Sequence, residues 1–90
     1  MPYIPLEDRA EFDAPVKGLT DIVKLRGLSN GELNYLLTRM ALVYLGAHGT
    51  SYNTISDVVK AMECAKSEFI RRVLVPYEQA KCKLNGDVFP

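Results

Sequence analysis

The chain has 90 residues, the size of one domain. A chain this short buries only about 60% of the surface its unfolded form exposes, so a staple, a metal or a partner subunit is expected to add to its stability. Eleven Lys and Arg balance eleven Asp and Glu, which excludes the global positive field that draws proteins to nucleic acid or to anionic membranes.

The amino terminus, Met1-Pro2-Tyr3-Ile4-Pro5, has no basic region followed by an apolar run, and the longest apolar stretch, Met40 to Leu45, is far shorter than a membrane span. The expectation is a soluble protein of the cytoplasm, with no membrane partner. From Tyr3 to Phe12 the chain reads as an extended arm entering a short helical turn, tied down by Tyr3, Ile4 and Phe12. Asp13 with Pro15 signals the first helix, since a carboxylate accepts free amide hydrogens there and proline is tolerated in a first turn. Val16, Leu19, Ile22 and Val23 follow at helical spacing, and Gly27 is a fitting stop.

Ser29-Asn30-Gly31-Glu32 has the pattern of a capping box, in which the serine and glutamate side chains each satisfy an orphan backbone N–H. It predicts a second helix from about Asn30 to Gly46. The first half is amphipathic, with Leu33, Leu36, Leu37 and Met40 on one face and Asn34, Tyr35, Thr38 and Arg39 on the other. From Met40 through Leu45 every residue is apolar or aromatic, a pattern that calls for cover on all sides. One helix pair and a short third helix can hardly supply it, which points to self-association.

Ala47 to Ser51 is a turn, with Ser51 or Thr54 as the cap of a third helix. Ile55, Val58, Val59, Met62, Ala65, Phe69 and Val73 repeat at intervals of three and four and mark its apolar stripe. Pro76 removes a backbone donor, so the helix is expected to kink or restart there and end at Asn85-Gly86. The predicted fold class is therefore all-α. It comprises a long antiparallel helical hairpin with a shorter N-terminal helix and a Pro-kinked last helix, as one domain over 1–90 with an arm at 1–12 and a tail at 84–90. A homo-oligomeric bundle is expected.

Folded as a hairpin about residue 49, the second and third helices would set Arg39 level with Lys60 to Glu63, and Tyr35 level with Glu63 and Cys64. Such a cluster reads either as an Arg39–Glu63 ion pair with hydrogen-bonded neighbours or as a polar pocket. Arg offers a planar fork for phosphate or carboxylate, and Tyr a stacking face. Arg71 and Arg72 form the one adjacent basic pair. Glu68 is placed to neutralise them on the same helix, the alternative being an anion site multiplied by symmetry.

His48 has no Ser, Cys or Asp at a spacing that implies a nucleophile and base, so no catalytic residue is assigned and an enzyme is not expected. One His and two separated cysteines do not make a zinc set, Glu-x-x-His repeats are absent, and no phosphate-binding glycine loop is found. No metal or cofactor is expected. Cys64 and Cys82, eighteen positions apart, would lie about 27 Å apart along one helix, so reduced thiols are expected. Ala61, Cys64 and Ala65 form a stripe of small residues suited to close helix approach.

Several motifs run nearly end to end: Met1-Pro2-Tyr3-Ile4 with Glu7-Asp8-Arg9; Gly31-Glu32-Leu33-Asn34-Tyr35 with Thr38-Arg39; Glu63-Cys64-Ala65-Lys66 with Glu68-Phe69 and Arg71-Arg72; and Pro76-Tyr77-Glu78 with Asn85-Gly86-Asp87-Val88. In these the sequence resembles an uncharacterised family of short proteins of bacteria and their phages. The resemblance implies, by context alone, a small helical oligomer of the anti-defence kind that sequesters a nucleotide signal in the host cytoplasm.

The leading expectation is a homo-oligomeric binding protein for a small anionic ligand such as a cyclic nucleotide. Asn34, Tyr35 and Arg39 would supply polar and stacking contacts, Arg71 and Arg72 charge, and Tyr3 or Tyr77 a lid. The alternatives are a protein–protein adaptor subunit docking through Met40 to Leu45 and, with least support from a neutral chain, a DNA-binding regulator.

Overall fold

The computed structural model describes residues 2–90 and is all-α, with no strand among them. A 3₁₀ turn at Leu6–Asp8 precedes α1 (Ala10–Arg26), α2 (Asn30–His48) and α3 (Tyr52–Phe69). A π-helical segment, Ile70–Leu74, then leads into α4 (Val75–Asn85). The chain divides into two units: one holds residues 3–58, the other Pro2 with residues 59–90. No helix among the described residues is long and apolar enough to cross a membrane.

In the first unit, Arg9 closes the entry by donating from Nε to the Ile4 carbonyl at 2.8 Å. Helix α1 begins at Ala10, three residues before the expected Asp13 start, because Arg9 already has right-handed helical backbone (φ −86°, ψ −28°) where the 3₁₀ turn hands over. Pro15 consequently sits inside the helix rather than in its first turn, and the Glu11 carbonyl loses its i+4 donor. The helix stops where expected: Gly27 takes φ 77°, a conformation that side chains with a Cβ disfavour, and its N–H reaches the Val23 carbonyl at 2.7 Å.

Helix α2 starts on the capping box as read. The Ser29 Oγ accepts from the Glu32 N–H at 3.1 Å, and Glu32 Oε1 accepts from the Ser29 N–H at 2.9 Å. It runs two residues past Gly46, to His48, whose ring lies one turn from that of Tyr44 with centroids 4.4 Å apart and planes tilted by 39°. The cap of α3 is Ser51, with Thr54 as its reciprocal partner: Thr54 N–H donates to Ser51 Oγ at 3.2 Å, and Ser51 N–H to Thr54 Oγ1 at 2.9 Å. A threonine hydroxyl thus takes the place that glutamate has in the usual box.

The turn between α2 and α3 is closed by Tyr44, whose hydroxyl donates to Asp57 Oδ2 at 3.3 Å. Leu45, Thr54 and Val58 are half-buried around it. Partial burial, and secondarily the Asp57 carboxylate, raise the Tyr44 hydroxyl above its ordinary pKa of 10.0. Tyr35 and Arg39 lie in the first unit, and Lys60, Glu63 and Cys64, the residues expected level with them on α3, lie in the second.

The second unit is one helical run, Val59 to Asn85, with a tail. Pro76 lies in the first turn of α4, where it has no N–H and its ring would crowd a carbonyl four residues back. The chain meets this by widening: the Val75 N–H bonds the Ile70 carbonyl five residues earlier, and helix continues to Asn85. The sequence offered a kink or a restart, and the outcome is a π turn that takes in one extra residue. Gly86, at φ 92°, ends the run with its N–H on the Cys82 carbonyl at 2.9 Å.

Neither unit contains a buried side chain among the described residues. Met40, Leu42 and Val43 of the all-apolar turn are exposed, as are Ile22, Leu37, Met62, Phe69 and Val73. Helix formation is complete, whereas the burial that normally stabilises helices of this length is not.

Candidate functional site

The residues expected to bind ligand fall into two groups, one in each unit. On α2, Arg39 Nη1 donates to the Tyr35 hydroxyl at 3.1 Å, and its guanidinium carbon lies 5.8 Å from the centre of the same ring. The i, i+4 spacing of a helix brings the two together. Asn34 turns to Thr38, whose Oγ1 donates to Asn34 Oδ1 at 3.3 Å and to the Asn34 carbonyl at 2.9 Å. Arg39 makes its contacts within its own helix, and its guanidinium keeps donors beyond the one given to Tyr35.

Beside this group is a hollow of about 170 Å³ at the corner of α1 and α2. Leu19, Ile22 and Val23 form one wall, and Leu28, Tyr35 and Leu36 the other. Its rim is fixed by an ion pair the sequence reading did not include: Arg26 Nη2 meets Glu32 Oε2 at 2.5 Å. The capping-box hydrogen bond from the Ser29 N–H, followed by the Arg26 contact and the Ser29 hydroxyl, pulls the Glu32 carboxyl from its ordinary 4.5 down to about 2. Arg26 and Glu32 are six positions apart, and the helix stop at Gly27 lies between them. Tyr3, offered as a lid, lies in the same unit and is half exposed.

In the other unit, Arg71 reaches back one turn to Glu68, with Nε and Nη2 both 2.6 Å from Oε1. This is the self-neutralising pair that the spacing suggested. Arg71 and Glu68 line an open hollow of about 340 Å³ together with Glu63, Cys64, Ser67 and Pro2. Glu63 and Glu68 both border that hollow, so an anion there would meet carboxylates as well as the Arg71 guanidinium. Arg72 is next along the π segment, and Tyr77 lies on α4 with Lys81 Nζ 5.6 Å from its ring centre. Within their units, then, Tyr35 is brought to Arg39 and Tyr77 to Lys81. Arg71 is engaged by Glu68, and Arg72 is its neighbour on the π segment.

Cys64 and Cys82 are free, exposed thiols on α3 and α4. No group of three or more His, Cys, Asp or Glu able to hold a metal occurs among the described residues.

Residues 1–88 match the model of one family, described as a domain of unknown function, DUF6899. No curated protein and no solved structure matches the chain.

Proposed function

The chain belongs to the DUF6899 family, a domain of unknown function, and from that premise we propose that it is a self-assembling helical binding subunit whose apolar faces are covered by further copies of itself. One observation carries this reading: no side chain is buried in either unit, while large apolar residues are exposed on every helix. The run from Val59 to Asn85 is the sharper case, because its unit contains no other helix for it to pack against. Fully burying an aliphatic or aromatic side chain contributes about 1.5–3 kcal/mol, and helices with apolar stripes draw most of their stability from such packing. A formal net charge of zero leaves no global repulsion to oppose self-association.

In that assembly the group with the character of an anion site is Tyr35 and Arg39, flanked by Asn34. Arg39 has no carboxylate partner among the described residues, and the phenol gives a ring for a planar ligand to stack on. The adjoining hollow of about 170 Å³ is smaller than the roughly 300–1,000 Å³ of ordinary ligand sites. A nucleotide-sized anion therefore needs a wall from a neighbouring subunit, which ties ligand binding to assembly. Arg71 is already engaged by Glu68, so the proposal centres on the α2 group.

Light scattering across a concentration series tests the assembly. A closed oligomer is expected, and a monomer at every concentration would overturn the reading and leave an adaptor for a different chain, or closure of one unit on the other. A thermal-shift screen with cyclic di- and trinucleotides at a hundred micromolar tests the anion site, since ligand at 100 times Kd adds about 2.7 kcal/mol. Stabilisation that disappears in Arg39→Gln supports the site, and no stabilisation by any of them would remove it.

A further inference from the structure

The helical run Val59–Asn85 carries its own instructions for how a second copy fits. At about 100° per residue, Val59, Met62, Lys66 and Phe69 share one face of α3. Continued as regular α-helix, that face would pass through Pro76 and turn Leu74 about 120° away. The π turn takes up one extra residue, which rotates everything after it back by about a quarter turn. Leu74 and Tyr77 then fall in line with Met62 and Phe69, and Pro76 moves to the rear. Phe69, Val73, Leu74 and Tyr77 on this face are 65%, 50%, 44% and 58% exposed.

The charges on this face are arranged symmetrically. Lys66 and Glu78 lie on the same edge, about 40° and 60° from the Met62 line, and they stand six residues either side of Arg72. When two identical helices pack antiparallel, a perpendicular two-fold axis sets like edges side by side and brings position 72 − n level with 72 + n. The Lys66–Glu78 contact then becomes attractive, and it occurs twice. Within one copy Lys66 and Glu78 are about 18 Å apart along the helix, too far for either to neutralise the other.

Resting on the assembly reading above, we infer that two copies of this chain pair antiparallel through the face of Val59–Asn85, with the two-fold axis level with Arg72 and Lys66 of each copy against Glu78 of the other. The apolar stretch from Phe69 to Tyr77 straddles the axis and forms the centre of the contact. The π turn makes that stretch continuous, so Pro76 sets the register of the pair.

Charge exchange tests the register. Lys66→Glu and Glu78→Lys, made singly, each place like charges opposite each other twice and are expected to weaken dimerisation about 5- to 30-fold in sedimentation equilibrium. The double variant restores the pair and is expected to return to within about threefold of the parent. Val73→Cys in a Cys64→Ser, Cys82→Ser background puts a thiol beside the axis and is expected to oxidise to a covalent dimer, whereas Ser67→Cys on the rear face is not. Circular dichroism confirms that every variant remains helical. A parent that assembles normally, with single variants unaffected or a double variant that is not rescued, overturns the pairing while leaving self-assembly intact. A parent that is monomeric overturns both.

Discussion

Phe69→Ala separates a chain that packs its own core from one completed by assembly. Truncating a core phenylalanine costs about 3–5 kcal/mol of folding stability, and that is the penalty expected if Phe69 were covered within the chain. It is instead 65% exposed, so little burial is lost in the single chain, and alanine is the better helix former. The contact energy is expected in the assembly. Fully burying a phenylalanine is worth about 1.5–3 kcal/mol, so covering the remaining two thirds gives about 1–2 kcal/mol per copy and about 2–4 kcal/mol for a symmetric pair. At 1.4 kcal/mol per factor of ten, dissociation becomes roughly 30- to 700-fold easier. The assay pairs sedimentation equilibrium with far-ultraviolet circular dichroism on the same dilution series. Unchanged association, or loss of helix at dilutions where the parent is already monomeric, would refute the reasoning.

Three further outcomes follow from the local contacts. Ser29→Ala removes the hydroxyl that accepts from the Glu32 N–H and is expected to lower stability by about 1 kcal/mol, read as an earlier urea midpoint with an unchanged slope; no change would show that the cap is idle. The Glu32 carboxyl titrates at about 2 when folded and 4.5 when not, so its stabilisation is full above pH 4.5 and is lost as pH falls toward 2. Protection of the Ser29 amide, its exchange measured against the intrinsic rate at the same pH, should fall over that window and should not change there in Glu32→Gln. Tyr44 has a raised pKa, caused first by partial burial and then by Asp57. The neutral phenol is thus the form the fold favours, and its contribution is present below pH 10 and lost above. Absorbance titration of Asp57→Asn should find Tyr44 ionising at lower pH than in the parent, and an unmoved midpoint would place the effect elsewhere.

Much of the fold was legible because helix ends are local. The Ser29–Glu32 box and the glycine stops at Gly27 and Gly86 each involve residues within four positions of one another, so side-chain chemistry and spacing suffice to find them. The same holds for Tyr35–Arg39 and Glu68–Arg71, one turn apart. The start of α1 was misplaced because it depended on the 3₁₀ turn delivering Arg9 in helical backbone, and Asp13 and Pro15, though plausible start signals, were not needed for it. The Arg26–Glu32 pair was missed because it spans a chain reversal.

What the sequence determined by itself is therefore the set of helices and their caps, since those depend on hydrogen bonds within a turn or two. Only the tertiary structure decided how Pro76 is absorbed and that neither unit covers its apolar residues. The first depends on which carbonyl is free to accept when the backbone widens, and the second on which surfaces lie close in space. Neither is encoded in the spacing of residues along one helix. Hydrophobic periodicity shows which face seeks cover, but burial is a property of the neighbours that surround it, and here neither unit by itself supplies enough.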